Sequence, residues 1–226
     1  MFSDQKIQET LSPYISPERM KKIDTILSQR TYTITVVLDN IYDVGNINAV
    51  IRTAENLGYQ SIYIISSQKT KTTNRITQGT DKWVDIHHFD DYHDCLSSLR
   101  AKGYKILATS LTEGRAMPLN ELDENIFLSP LAIVFGNEKD GVRGEIVEGA
   151  DYLTYIPTVG FAQSFNLSVA AGIVLYHVYQ KRLNLRGELG QGDLNADDFL
   201  NLKSHFYQKS VRRSDKIINY SKGFYR

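Results

Sequence analysis

The sequence predicts an α/β fold: a mostly parallel sheet with helices on both faces and helical extensions at both ends. Two observations carry this. Strand-like hydrophobic runs alternate with helix-length segments from residue 32 to residue 182, the pattern of a parallel sheet covered on both sides. The composition, 42% hydrophobic and 23% charged over 226 residues, is that of an ordinary globular chain, long enough for one large domain with appendages.

The same composition excludes other classes. No apolar run approaches the roughly 20 residues that span a bilayer, and the N-terminus lacks the charged start and apolar core of a secretory signal. The single Cys95 rules out an internal disulfide and suits a reducing cytoplasm, where burial in a helix is the expected state for it. Net charge is zero, but residues 201–226 hold seven Lys or Arg and one acid. A basic arm of +6 therefore follows a body of −6.

The elements follow in order. Ser12-Pro13 marks a turn. Ser16-Pro17-Glu18 starts a helix, a cap followed by Pro at the first helical position, with Met20, Ile23 and Leu27 as its apolar stripe. A strand follows at 32–39, then a helix with Val50, Ala54 and Leu57 on one face, ending at Gly58. Residues 61–66 form a second strand and the polar residues 67–83 a loop. A short strand is expected at 83–88, a helix at 92–101, strands at 104–109 and 131–135, and a short helix after Gly141. A strand at 152–156 and a long apolar helix at 164–182 complete the alternation. Residues 185–194 read as a linker. A last helix starts near Asn195, with Asp198 three residues on as its capping partner. The predicted division is an N-terminal helical extension (1–30), a central α/β domain (31–183) and a basic helical extension (184–226).

Three stretches carry chemistry. The run Asn46-Ile47-Asn48-Ala49-Val50-Ile51-Arg52-Thr53-Ala54 follows a strand and enters a helix. Ligands of α/β folds sit at the carboxyl ends of strands. An Arg there suits phosphate or ribose, because its planar fork of donors stays charged near neutral pH. Alone, the run also fits a capped helix with a solvated Arg. Phe135-Gly136-Asn137-Glu138-Lys139-Asp140-Gly141 closes a strand. Its glycines allow close backbone approach to a ligand, and the same residues suit a plain turn. Residues 156–170 run from a strand end through an apolar loop (Val159, Phe161, Phe165) into a helix N-terminus. That arrangement can hold a flat heterocycle and offer it backbone donors, although Ser164, Asn166 and Ser168 also suit helix capping. The five histidines lack ligand spacing with cysteine, so no metal is expected. The absence of a P-loop and of G-x-G-x-x-G argues against an NTPase and a simple dinucleotide dehydrogenase.

In this order, N-x-x-x-x-x-R-T-A, F-G-N-E-x-x-G and I-P-x-x-G-x-x-x-S-x-N-x-S-V-A resemble the three motifs of the SPOUT superfamily of RNA methyltransferases. They are most similar to those of its TrmH-type ribose 2′-O-methyltransferases, over about residues 30–182. The flanks Ser16-Pro17-Glu18-Arg19, Trp83-Val84-Asp85 and Gln180-Lys181-Arg182 resemble the branch that methylates guanosine in tRNA. The resemblance implies a C-terminal deep trefoil knot around the second and third motifs, S-adenosyl-L-methionine bound in it, and an obligate homodimer. It implies catalytic positions at Arg52, Asn46, Ser164, Asn166 and Glu138. Cofactor-binding positions are implied at Thr109, Gly136, Asn137, Glu138, Ile156, Pro157, Gly160, Ser164, Phe165 and Asn166. Where the family usually reads Ser-Leu-Asn-Val-Ser this chain has Ser-Phe-Asn-Leu-Ser, so Phe165 and Leu167 reshape the expected adenine slot.

The resemblance also narrows the RNA. About 30 residues precede the first strand, too few for the additional N-terminal domain of an rRNA-modifying relative, and more than 40 follow the helix at which wobble-ribose relatives end. The D-loop guanosine at position 18 of tRNA is the implied target. Lys209, Arg212, Arg213 and Lys216 are spaced i, i+3, i+4 and i+7, one face of a continuous helix. Phe206, Tyr207, Tyr220, Phe224 and Tyr225 interleave with them as stacking surfaces. With Arg52 and Arg182 these cations are the expected RNA contacts. The alternatives are another RNA or tRNA position, a catalytically silent RNA-binding protein of the same fold, a nucleotide-binding α/β enzyme with chance motif matches, and a tail that packs its aromatics on a dimer partner.

Overall fold

A computed structural model of the chain describes residues 3–66, 79, 81–112, 114–162, 164–187 and 190–221. The chain runs α1 (Asp4–Leu11), α2 (Pro17–Leu27), β1 (Ile34–Asp39), α3 (Val44–Asn56), β2 (Ser61–Ile65), β3 (Asp85–Phe89), α4 (Tyr92–Ala101), β4 (Lys105–Thr109) and β5 (Met117–Pro118). It continues as β6 (Leu131–Gly136), α5 (Gly144–Gly149), β7 (Tyr152–Tyr155), α6 (Leu167–Arg186), α7 (Ala196–Ser210) and α8 (Ser214–Ser221). Residues 31–191 form one compact unit, and residues 1–30 with 192–226 form another.

Among the described residues of the α/β unit, seven strands lie in one sheet, in the order β3-β2-β1-β6-β4-β7-β5, and each of their pairings is parallel. β1 and β6 are buried at every position, as strands covered on both faces must be. Their alternate side chains supply two cores. Ile34, Val36, Leu38, Leu131, Ile133 and Phe135 pack with residues of α3 and α6, while Val37, Ala132 and Val134 pack with Cys95, Leu99 and Ile146 of α4 and α5. Burial pushes the Cys95 thiol up to about 12, which leaves it protonated and inert near neutral pH.

The second unit is helical. Leu11, Ile23, Leu27, Leu202 and Phe206 are buried in it. Ser204 Oγ donates to the Asp4 carbonyl (2.9 Å) and accepts from Gln8 Nε2 (3.0 Å), tying α7 to α1. Lys203 pairs with Asp24 at 2.6 Å, tying α7 to α2. Ser16 caps α2 by accepting from Arg19 N, and Asn195 caps α7 by accepting from Asp198 N, as their sequence signals predict.

Several boundaries differ from the sequence reading, each for a local reason. The third strand starts at Asp85 because residues 81–83 form a 3-10 turn. The long helix starts at Leu167 because Asn166 is its cap, and it continues to Arg186. α1 and the two-residue strand β5 were not foreseen. The basic C-terminal segment is not one helix. α7 stops at Ser210, Val211 turns extended with its side chain buried, Arg213 is left-handed (φ 58°), and α8 starts afresh at Ser214. Lys209, Arg212, Arg213 and Lys216 therefore do not share one helical face, though all four remain exposed. Most of the loop expected at 67–83, and Phe224 and Tyr225, lie outside the described residues. Among the described residues no helix is long and apolar enough to cross a membrane.

Candidate active site

The site is built where β1, β4, β6 and β7 end. The turn after β6 folds back on its own strand. A Cβ on Gly136 would lie 1.9 Å from the Gly141 carbonyl carbon, so only glycine fits there. Gly141 is left-handed (φ 70°) and donates from its N–H to the Asn137 carbonyl at 3.0 Å. The Asn137 side-chain oxygen accepts from Lys139 N (2.9 Å) and Asp140 N (2.8 Å), an Asx-type turn that fixes the loop. Asp39, buried at the end of β1, then locks the loop in place. Its carboxylate accepts from Arg143 Nε (2.8 Å) and Arg143 N (3.0 Å), and the Arg143 guanidinium also lies over the Tyr92 ring at 4.8 Å.

This lock positions Glu138, whose carboxylate accepts a hydrogen bond from the Asn46 side-chain amide. Asn46 is buried in the first turn of α3, which begins where Asp43 accepts from Gly45 N. The Asn46 side-chain oxygen accepts from Asn166 Nδ2 at 3.4 Å. Asn166 also caps α6, its side-chain oxygen accepting from Ser168 N (2.9 Å) and Ser168 Oγ (2.6 Å). The capping and site readings of Asn166 thus hold together, one using its oxygen and the other its nitrogen. One residue from each of the three motifs stands in a single hydrogen-bonded row.

Beside this row lies a cleft of about 380 Å³, within the size of small-ligand sites. Its walls are Thr109–Leu111 from the end of β4, the β6 turn from Phe135 to Val142, Thr154–Ile156 with Thr158 from the end of β7, and Leu167, Ala170 and Val174 of α6. Thr109 is held by donating to the Val134 carbonyl at 3.0 Å. Apolar side chains such as Leu111, Ile156, Phe165 and Leu167 share the lining with polar ones such as Thr109, Glu138 and Ser164, which suits a flat ring carrying polar groups.

Of the expected residues, Thr109, Gly136, Asn137, Glu138, Ile156, Ser164 and Phe165 line the cleft. Asn46 and Asn166 meet at the row. Pro157 and Gly160 sit in the exposed loop before α6, outside the lining. Arg52 is exposed on α3 and is not among the lining residues. Arg182 corrects the sequence reading: it is fully buried. Its guanidinium donates to the Phe127 carbonyl, to Gln191 Oε1 (3.1 Å) and to Thr31 Oγ1 (3.4 Å). A cation spent on internal acceptors serves the fold and does not meet RNA. The sequence reading missed Ser110, Leu111, Thr154, Tyr155 and Thr158, for which position next to a strand end was the available signal. It also missed the Asp39–Arg143 lock, whose partners are 104 residues apart and carry no local pattern.

A parallel α/β sheet with a glycine-dependent turn and a cleft at its strand ends defines a ligand-binding enzyme core, and a family match gives it its class. The SpoU rRNA Methylase family matches residues 33–176, and the chain belongs to that family. Among particular relatives, the chain is 33% identical to the tRNA (guanosine(18)-2′-O)-methyltransferase of Borreliella burgdorferi, over 92% of this chain and 93% of that one. Its structure is similar to the A. aeolicus TrmH/SpoU tRNA modifying enzyme, with a TM-score of 0.75 and 32% identity over 87% of this chain and 98% of that one. It is also similar to the AdoMet-bound rRNA methyltransferase from Sinorhizobium meliloti, with a TM-score of 0.56 and 27% identity over 74% and 60% of the two chains.

Proposed function

We propose that this protein transfers a methyl group from S-adenosyl-L-methionine to the ribose 2′-oxygen of guanosine 18 in tRNA. The observation that carries the proposal is the row Asn166–Asn46–Glu138, whose Glu138 lines the strand-end cleft. The tRNA target is supported by the relative in Borreliella burgdorferi, which is similar along nearly its whole length.

The cleft fits the cofactor: Leu111, Ile156 and Phe165 offer apolar faces to a flat ring, and the carboxylates of Glu138 and Asp140 outnumber the one cation of the lining, Lys139, which suits a sulfonium. When bound, S-adenosyl-L-methionine supplies an electrophilic methyl group on a sulfonium. The chain's own residues then have two tasks, alignment and proton removal. Glu138 and Asn166 hold the Asn46 amide in one orientation, so the polar edge facing the ribose is preset. Ser164, on the cleft wall, orients the same region. Arg52 donates to the 2′-oxygen and stabilises the charge that develops there. A guanidinium is a poor base, so the 2′-hydroxyl proton passes to it only if an RNA phosphate assists, and otherwise to solvent. Pro157 and Gly160 shape the loop over the slot.

The catalytic domain is residues 31–191, because the expected boundary at 183 falls inside α6, and 1–30 and 192–226 are the RNA-facing extensions. The chain through β6, β7 and α6 is knotted as in the family, supported by β4 lying between β6 and β7 and by the doubling of the loop over Gly136. The working form is a homodimer, supported by Val169, Ile173 and Tyr176, an exposed apolar stripe at i, i+4 and i+7 of α6. Lys209, Arg212, Arg213 and Lys216 contact phosphates, and the enzyme works in the cytoplasm, for which the single buried thiol is suited.

Calorimetry with S-adenosylhomocysteine in the presence of a chelator tests the core of the proposal. Binding near one per chain is expected; no binding, with or without tRNA, rejects it. Sedimentation at about twice the chain mass is expected, and a stable, active monomer rejects the dimer.

A further inference from the structure

The helical unit holds an open groove of about 500 Å³, away from the residues of the catalytic cleft in sequence and lined by a different chemistry. Thr10 and Tyr14 come from the end of α1 and the turn after it; Lys216, Ile217, Tyr220 and Ser221 come from α8. Tyr14 is 61% exposed and Tyr220 71% exposed. Lys216 is exposed too. Two aromatic rings are thus left in water at the wall of a concavity that also holds a cation and two hydroxyls.

The charge of this unit says what the groove takes. Residues 1–30 and 192–226 contain twelve Lys or Arg and eight Asp or Glu, a net +4, while residues 31–191 carry −4. The basic surplus therefore belongs to the unit that holds the groove. An aromatic face stacks a base and a lysine meets a phosphate as a point charge, while the Thr10 and Ser221 hydroxyls, which donate to the Lys6 and Ile218 carbonyls, can accept from a ribose hydroxyl. Bases inside a duplex are already stacked, so only an unpaired nucleotide can use such a ring.

We propose that this groove captures an unpaired nucleotide of the tRNA, its base stacked on Tyr14 or Tyr220 and its phosphate against Lys216. This rests on the reading that tRNA is the substrate, and it names a contact remote in sequence from the methyl-transfer motifs.

The test uses the full chain in four forms: wild type, Tyr14→Ala with Tyr220→Ala, Tyr14→Phe with Tyr220→Phe, and Lys216→Gln. Binding is measured to tRNA, to fluorescent hexauridylate, to a duplex of equal length and to S-adenosylhomocysteine. The double Ala variant should bind tRNA about ten-fold or more weakly, the loss of one stacked base, and should lose hexauridylate binding. Duplex and S-adenosylhomocysteine binding should not change. The double Phe variant, which keeps both rings, should match wild type. Lys216→Gln should flatten the salt dependence of hexauridylate binding by about 0.7 in slope. Unchanged tRNA and hexauridylate affinity in the double Ala variant overturns the proposal. So does a fall in sedimenting mass in that variant, since the groove would then hold a second copy of the chain. A wild-type protein that binds both RNAs but never methylates tRNA defeats the functional reading and leaves this one standing. One that methylates tRNA while the Ala variant binds as wild type defeats this one alone.

Discussion

Asn46 and Glu138, 92 residues apart in sequence, are joined by a hydrogen bond from the Asn46 amide to the Glu138 carboxylate. Because the other side of Asn46 accepts from Asn166, Asn46 needs both a donor and an acceptor. Only an amide of this length supplies both. Asn46→Asp sets two carboxylates against each other. Its single-turnover methyl transfer should fall by about a hundred-fold, the scale of losing a preorganised polar group, while circular dichroism stays native. Glu138→Gln keeps the shape and an acceptor and should lose less. Wild-type rates in Asn46→Asp would remove the row from the mechanism.

Arg52 separates chemistry from cofactor binding. It is exposed and does not line the cleft, so Arg52→Ala should bind S-adenosylhomocysteine as wild type. Methyl transfer should drop by about 10²–10³-fold if the guanidinium stabilises the developing oxyanion. Arg52→Lys should fail as well, because a point charge does not replace a planar fork. A Lys variant with most of the activity would reduce Arg52 to a general electrostatic contact.

Gly136→Ala tests the turn. The added methyl meets backbone at 1.9 Å, so the loop must move. Equilibrium unfolding should show a loss of at least about 3 kcal/mol, the range of severe backbone conflicts. Gly144→Ala, where a Cβ meets nothing within 4 Å, is the matched control. Equal unfolding midpoints for the two variants would contradict the close crossing.

The alternation of strands and helices was legible because parallel strands and their covering helices each leave a local period and local caps. Ser16, Asn195 and the span 92–101 were read correctly on that basis. The break after Ser210 was not legible. It depends on burying Val211, a tertiary gain that outweighs the helical spacing of the four cations. Arg182 misled for the same reason: its acceptors on Phe127, Thr31 and Gln191 come from distant segments. Within the site, motif residues mark much of the cleft, while Ser110, Leu111, Thr154, Tyr155 and Thr158 line it through their place beside strand ends and carry no motif of their own.

The broken tail changes how its cations are tested. Arg212 and Arg213 lie between α7 and α8, both exposed. Reversing both to Glu should weaken tRNA binding and flatten its salt slope by about 0.7–0.9 per lost phosphate contact. S-adenosylhomocysteine affinity should be unchanged. An unaltered slope would leave the two arginines as solvated charges.

The central claim is methyl transfer to one ribose oxygen. Purified protein, S-adenosyl-L-methionine and unmodified tRNA should yield a single 2′-O-methylated guanosine at position 18, mapped by resistance to alkaline cleavage and by mass spectrometry of the nucleosides. A methyl group on a base, a methylated ribose elsewhere in the tRNA, or no methylation by protein that binds the cofactor would contradict the account.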